Sequence, residues 1–277
     1  MEILDFRTRP RVEFYYKGLM PKPAPEFEAY FRLYKADELY QQRRFQLLGY
    51  GDSIAEMREF NVTKGVIFCG DAAGNEKVYE TCRENPDVYI GLAGARVDQG
   101  VTKAVKDLRR AFEEYHLAGW NSSPYLTGVY ATDPRKYAIY ALCEEMGKCA
   151  VVHCSAHFNP ATPLDLADPM QIDRIAVSFP DLKLVITHGA VGFGDLGCTI
   201  ANRHKNVYID FTSIHPGILY PHVIKMINTQ LRTKSIFGTN YPCLTYEIIE
   251  EWKKVLKPEV QPLFFYKNAA RVLGLES

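Results

Sequence analysis

The sequence lacks an excess of either charge: 33 lysines and arginines face 33 aspartates and glutamates over 277 residues, so the formal net charge is zero. Binding to nucleic acid or to an anionic membrane surface rests on surplus basic charge, and neither partner is expected. No apolar run approaches the roughly 18 residues that span a bilayer, and the opening MEILDFRTRPRV has no basic-then-apolar leader layout. A soluble, unprocessed cytoplasmic protein is the expectation. The seven cysteines, at positions 69, 82, 143, 149, 154, 198 and 243, include no Cys-x-x-Cys pair. Reduced thiols therefore fit better than the disulfide framework of a short secreted chain. Internal repeats and low-complexity tracts are also missing. Hydrophobic residues make up 47% and charged residues 24% of the chain, ordinary values that exclude disorder and leave apolar surface for a large core.

What is present is an alternation of two patterns. Short β-type runs fall at residues 2–6, 64–69, 88–93, 117–122, 149–154, 183–188, 206–210 and 235–238. Several are near-continuous Val, Ile and Leu, as expected of strands covered on both faces. Amphipathic stretches lie between them, such as residues 103–115, where Ala104, Val105, Leu108, Ala111 and Phe112 share a helical face. Asp133 followed by Pro134 opens another predicted helix with a side-chain cap and a proline at its first position, and Gly147 ends it.

Eight such strand–helix units in a length near the roughly 250 residues of a TIM barrel predict an α/β chain folded as one (β/α)8 barrel domain over residues 1–277. An open doubly wound sheet is the runner-up, but the segment after the first strand, residues 4–10 (LDFRTRP), has no glycine for a phosphate loop. Residues 10–61 read as an insertion after strand 1, which would emerge on the catalytic face as a lid. It carries PKPAP at 21–25 and an aromatic-rich helical run at 26–50. Tyr15, Tyr16, Phe27, Tyr30, Phe31, Tyr34 and Tyr40 could line a pocket, make a homo-oligomer contact, or pack the insertion onto the barrel.

In a barrel the C-terminal ends of the strands converge on one pocket. That filter selects Arg7 and Arg9 after strand 1, His153 after strand 5, His188 after strand 6, and Asn240 after strand 8; as a separate cue, Trp120-Asn121-Ser122-Ser123-Pro124 after strand 4 offers polar donors to the pocket or simply forms a turn. Three segments, CAVVHC, LKLVITHG and SIFGTN, share an apolar strand ending in a polar group. Each alone has a structural reading: a hydrogen-bonded core histidine, a turn asparagine, or arginines paired with Asp5, Glu2 or Asp210. Their coincidence on one rim points to a site.

These segments resemble the second amidohydrolase-related family, the barrel group that includes aminocarboxymuconate-semialdehyde decarboxylase-like enzymes and metal-independent lactonases. Residues 4–10 are similar to its Asp-x-His-x-His start, and Asp133-Pro134-Arg135-Lys136-Tyr137 through His153 resembles its Asp-Pro-Arg-x-Tyr helix and strand-5 histidine. Ala167-Asp168-Pro169 and the stretch from Phe179-Pro180 to His188 look like its strand-6 block. Phe237-Gly238-Thr239-Asn240-Tyr241-Pro242 resembles its Phe-Gly-Ser-Asp-Tyr-Pro, and Asn268-Ala269-Ala270-Arg271 its C-terminal helix.

The departures bear on chemistry. Arg7 and Arg9 stand where the resemblance places the first pair of metal-binding histidines, and Asn240 stands where it places the strand-8 aspartate. A guanidinium has no lone pair for a metal, and a catalytic zinc site needs about three protein ligands. The expectation is no metal and no other cofactor, with His157 and Cys154 as weak additional donors and Cys154 directed away from His153 across its strand. Two fixed cations suit a small-molecule carboxylate partner. The leading expectation is a metal-independent hydrolase of a carboxylated, cyclic or aromatic substrate, with a lactone or activated C–N bond. Arg7, Arg9, Asn121 and Ser122 would bind substrate, His153 or His188 would act as base, and Asn240 would orient water. A decarboxylase or other lyase, and a barrel that binds without turnover, are the alternatives.

Overall fold

The structure is a computed structural model that describes residues 1–16, 47–157 and 160–275. Eight strands follow one another around a single parallel sheet in the order of the chain. They are β1 (Ile3–Asp5), β2 (Val62–Phe68), β3 (Tyr89–Gly94), β4 (Gly119–Ser122), β5 (Cys149–Val152), β6 (Leu184–Ile186), β7 (Val207–Asp210) and β8 (Ser235–Ile236). The seam between last and first strand is bridged by backbone bonds from Phe6 N to the Phe237 carbonyl at 3.1 Å and from Asn240 N to the Arg7 carbonyl at 2.7 Å. The molecule is a TIM barrel, as the alternating pattern predicts.

Side chains alternate across each strand and so build two layers. Leu4, Phe6, Val66, Leu92, Cys149, Val151, Val185 and Ile236 fill the barrel interior. Their neighbours Ile3, Ile67, Ala93, Trp120, Ala150, Val152, Ile186 and Ile209 face the surrounding helices. The helix Val101–Glu113 presents Ala104, Leu108, Ala111 and Phe112 to that outer layer. Asp133 caps the helix Pro134–Glu145 by accepting from Arg135 N, and Gly147 follows it at φ +65°. The last helix, Asn268–Leu273, sends Ala269, Val272 and Leu273 into the interior cluster, while Lys183 just before β6 donates to the Arg271 carbonyl at 3.2 Å. It thus closes the N-terminal end of the barrel and leaves the C-terminal end for chemistry.

Between β1 and β2 the described residues form a short helix, Glu13–Tyr16, and a longer one, Tyr50–Glu59. Both are tied to the barrel: Tyr15 is buried and donates to Thr81 Oγ1 at 3.1 Å, and Arg11 N donates to Ser53 Oγ at 3.1 Å. The PKPAP segment and Phe27, Tyr30, Phe31, Tyr34 and Tyr40 lie outside the described residues. Among the described residues no helix is long and apolar enough to cross a membrane.

Candidate active site

The register of the sheet decides which residues meet at its C-terminal end. Val152 pairs with Ile186, and Ile186 with Ile209, so the next residues along, His153, Thr187 and Asp210, share one rung at the mouth. Three strand ends then turn through non-glycine residues in the left-handed region: His188 at φ +56°, Ser213 at +63° and Asn240 at +55°. Each such residue costs on the order of 1 kcal/mol or more. This cost falls where side chains must be re-aimed at a common centre.

Along the β1 side, Arg7 is buried and gives Nη2 to Asn121 Oδ1 at 2.8 Å. Its guanidinium lies 4.0 Å from the centre of the Phe68 ring, and that of Arg9 lies 5.1 Å from the same centre. Arg9 donates to Asn240 Oδ1, and Asn240 turns its amide nitrogen toward Cys243 Sγ at 3.6 Å. The Asn240 side chain is thus engaged with Arg9 and Cys243. Neither Asp5 nor Asp210 pairs with the arginine side chains. Asp5 accepts from the backbone amides of Arg7 and Thr239 and from Thr239 Oγ1, while Asp210 Oδ1 accepts from the amides of His188 and Thr212. Burial raises the Asp5 carboxyl to about 7.

Across the mouth, the His153 and His188 rings lie 4.9 Å apart. His188 Nδ1 stands 2.8 Å from the Thr212 carbonyl. A carbonyl only accepts, so Nδ1 carries the hydrogen and Nε2 keeps the lone pair in the neutral ring. Burial, then the positive field of Arg7, lowers His188 to about 4. Burial and the neighbouring His188 and Arg7 push His153 well below the ordinary histidine value. Both imidazoles are neutral at pH 7.

Tyr125 and Phe68 complete the wall, and the sequence reading named neither. Tyr125 lies 4.5 Å from the His153 ring and stacks on His157 at 4.9 Å. Its signal was only its place just after β4, in the short helix Pro124–Thr127. His157 contacts the Pro163 carbonyl at 3.2 Å through Nε2, so it belongs to the aromatic wall. Cys154 is buried in the outer layer, away from the mouth. Ser122 is buried too, but its Oγ meets Lys136 Nζ at 3.4 Å, on the opposite side of β4 from Asn121.

Several buried polar atoms at this end have no protein partner among the described residues: His153 Nδ1, Thr187 Oγ1, Asp210 Oδ2, Thr212 Oγ1 and Ser213 Oγ. Buried polar groups are normally satisfied, so a cluster of orphans marks a place for water or ligand. The donor set that the described residues bring to this mouth does not fit a divalent metal. Among the described residues no three His, Cys, Asp or Glu side chains gather as ligands. The two imidazoles face guanidiniums whose charge would repel a cation.

With the geometry in view, a family model described as Amidohydrolase, of the second amidohydrolase group, matches residues 28–275. The chain belongs to this amidohydrolase family. A comparison with curated proteins finds no match. Among solved structures similar to this amidohydrolase-family chain is an uncharacterised TIM-barrel protein from Bordetella bronchiseptica, at 21% identity over 99% of both chains with a TM-score of 0.80. Another is the 5-carboxyvanillate decarboxylase of Sphingomonas paucimobilis, at 14% identity over 99% of both chains with a TM-score of 0.69. A third is the 4-oxalomesaconate hydratase of Rhodopseudomonas palustris, at 20% identity over 98% of this chain and 95% of that one with a TM-score of 0.63. At these identities the likeness is one of fold.

Proposed function

We propose that this amidohydrolase-family chain is a metal-independent hydrolase of a small carboxylated substrate, cyclic or aromatic, cleaving a lactone or an activated C–N bond. The observation that carries the reading is an imidazole of defined tautomer, His188, held neutral beside two guanidiniums that lie against one aromatic ring. Arg7 and Arg9 would hold the substrate carboxylate or a developing oxyanion, each through a planar fork in a site largely withdrawn from water. Asn121 and Asn240 hold those forks in place. His188 Nε2 would accept a proton from attacking water, with His153 beside it as hydrogen-bonding partner.

A base titrating near 4 is weak in the empty site, and the cause of its weakness supplies the remedy. Arg7 is the largest charge effect on His188. An anion bound at Arg7 cancels that field, so His188 should gain basicity as the substrate arrives. Unactivated amides call for a metal-activated hydroxide, and the donors at this mouth do not suit one, which is why the reading is confined to activated bonds. Ser122 would act in the neighbouring cavity that it lines with Asn121.

Loss of carbon dioxide is the second reading, favoured by the decarboxylase among the similar structures. It ranks lower because two arginines gripping the departing carboxylate stabilise the ground state as well. The test is a panel of carboxylated lactones, aryl carboxylates and enamine-type substrates, followed by proton release, carbon dioxide and ammonia, with elemental analysis of the same preparation. Proton release on ring opening by metal-free protein is expected. Carbon dioxide release selects the second reading, and a stoichiometric transition metal required for turnover overturns the metal-independent one.

A further inference from the structure

A cavity of about 130 Å³ opens beside the mouth, among the loops that follow β2, β3 and β4. Gly94 lets the β2 loop press close, because a Cβ there would collide with the Asp71 backbone. Ala95, Val97, Trp120, Leu126 and Val129 give the cavity apolar walls. Its charged lining is largely paired or bonded: Arg96 with Asp98 at 2.5 Å, and Asp71 Oδ1 with the amide of Ala73 at 3.0 Å.

Lys136 is the exception. It lines this cavity, is 3% exposed, and makes no ion pair among the described residues. Nζ contacts two neutral acceptors, the Val129 carbonyl at 2.9 Å and Ser122 Oγ at 3.4 Å. Those two acceptors satisfy the two N–H bonds of a neutral amine and leave its lone pair over. An ammonium would hold a third N–H with no partner among the described residues in a buried position, a costly arrangement. A lysine desolvated in this way is an activated nucleophile.

We propose that Lys136 is a nucleophilic amine at the floor of a carbonyl-binding pocket, and that a small aldehyde or ketone entering the cavity condenses with Nζ to form an imine. The Nζ lone pair forms a bond to the carbonyl carbon while the C=O π pair moves to oxygen. A proton passes from nitrogen to that oxygen, for which the Ser122 hydroxyl is in reach. The carbinolamine then loses its oxygen as water and the C=N bond forms, so amine plus carbonyl becomes imine plus water, with no change of oxidation state. The site adjoins the arginine–histidine cluster through Asn121, which lines the cavity and holds Arg7, but it uses neither the arginines nor the histidines and stands whether or not that cluster hydrolyses anything.

Burial lowers Lys136 to about 8 from the ordinary 10.5. At pH 7 about one amine in ten is then unprotonated, against about one in three thousand for an exposed lysine. The test treats the whole protein with propanal and cyanoborohydride at limiting extent, and peptide mass spectrometry reads the propylated lysines. Lys136 should be labelled about tenfold or more faster than the exposed Lys103 and Lys205, with a rate that rises through pH 8 and then levels. In guanidinium that lead should vanish. Labelling of Lys136 at or below the rate of Lys205, or a lead that survives unfolding, overturns the proposal.

Discussion

The two sides of the barrel mouth treat polar groups in opposite ways. On the β8–β1–β4 side the functional groups are tied together: Asp5 to Thr239, Arg7 to Asn121 and Arg9 to Asn240. On the β5–β7 side His153, Thr187, Asp210 and Thr212 each keep a buried polar atom without a protein partner among the described residues. The first side is a braced frame that fixes positive charge. The second leaves hydrogen-bonding capacity open, which is what a site needs where a reactant or water must come and go.

The largest expected effect breaks the open side. His188→Gln removes the base, and kcat/KM on the substrate identified by the panel should fall by about 10²- to 10⁴-fold, while the thermal transition moves little. An unchanged rate would remove His188 from the mechanism. Next comes the braced side: Arg7→Met should cost about 10²- to 10³-fold in kcat/KM and abolish the rise in His188 pKa that benzoate induces in wild-type protein, read from imidazole NMR. If benzoate still shifts His188 in the variant, Arg7 is not the anion's partner.

A smaller effect concerns Asp5. Its carboxyl titrates near 7 in the fold and near 3.8 when unfolded, so the fold retains a proton that the unfolded chain has lost between those values. Stability from this group is full below pH 3.8 and is lost as pH rises through 7. Asp5→Asn keeps an oxygen for the amides of Arg7 and Thr239. It should stabilise the protein relative to wild type by on the order of 2 kcal/mol at pH 8, with little gain at pH 4. Equal shifts in melting temperature at both pH values would contradict the assigned cause. The smallest effect sharpens the comparison. Asp210→Asn preserves an acceptor for the amides of His188 and Thr212 but removes the charge that raises His188. The His188 titration, and the acid limb of kcat/KM with it, should move below 4, and an upward move would contradict the reading.

Much of this was legible in the chain. All eight strands appeared as short β-type runs, though the runs at 183–188 and 235–238 outlast the observed Leu184–Ile186 and Ser235–Ile236. The pattern registers burial, and the residues beyond each strand are buried too; His188 and Asn240 leave strand geometry through left-handed turns that hydropathy does not encode. Arg7, Arg9, His153 and His188 were legible because polar groups at strand ends converge in a barrel. Tyr125 was not, since it lies in a single-turn helix, Pro124–Thr127, too short to show a period. Ser122 was grouped with Asn121, but neighbours on a strand face opposite sides, and the serine meets Lys136 instead.

Sequence alone determined the period of burial, the number of strand–helix units, and the presence of two permanent cations, Arg7 and Arg9, after the first strand, because these depend only on residue identity and spacing. The tertiary structure decided which acceptor each arginine holds, which nitrogen of His188 carries the hydrogen, and that Lys136 has no charged partner among the described residues. Those outcomes depend on contacts between segments far apart in the chain, where sheet register and closure of the barrel set the distances.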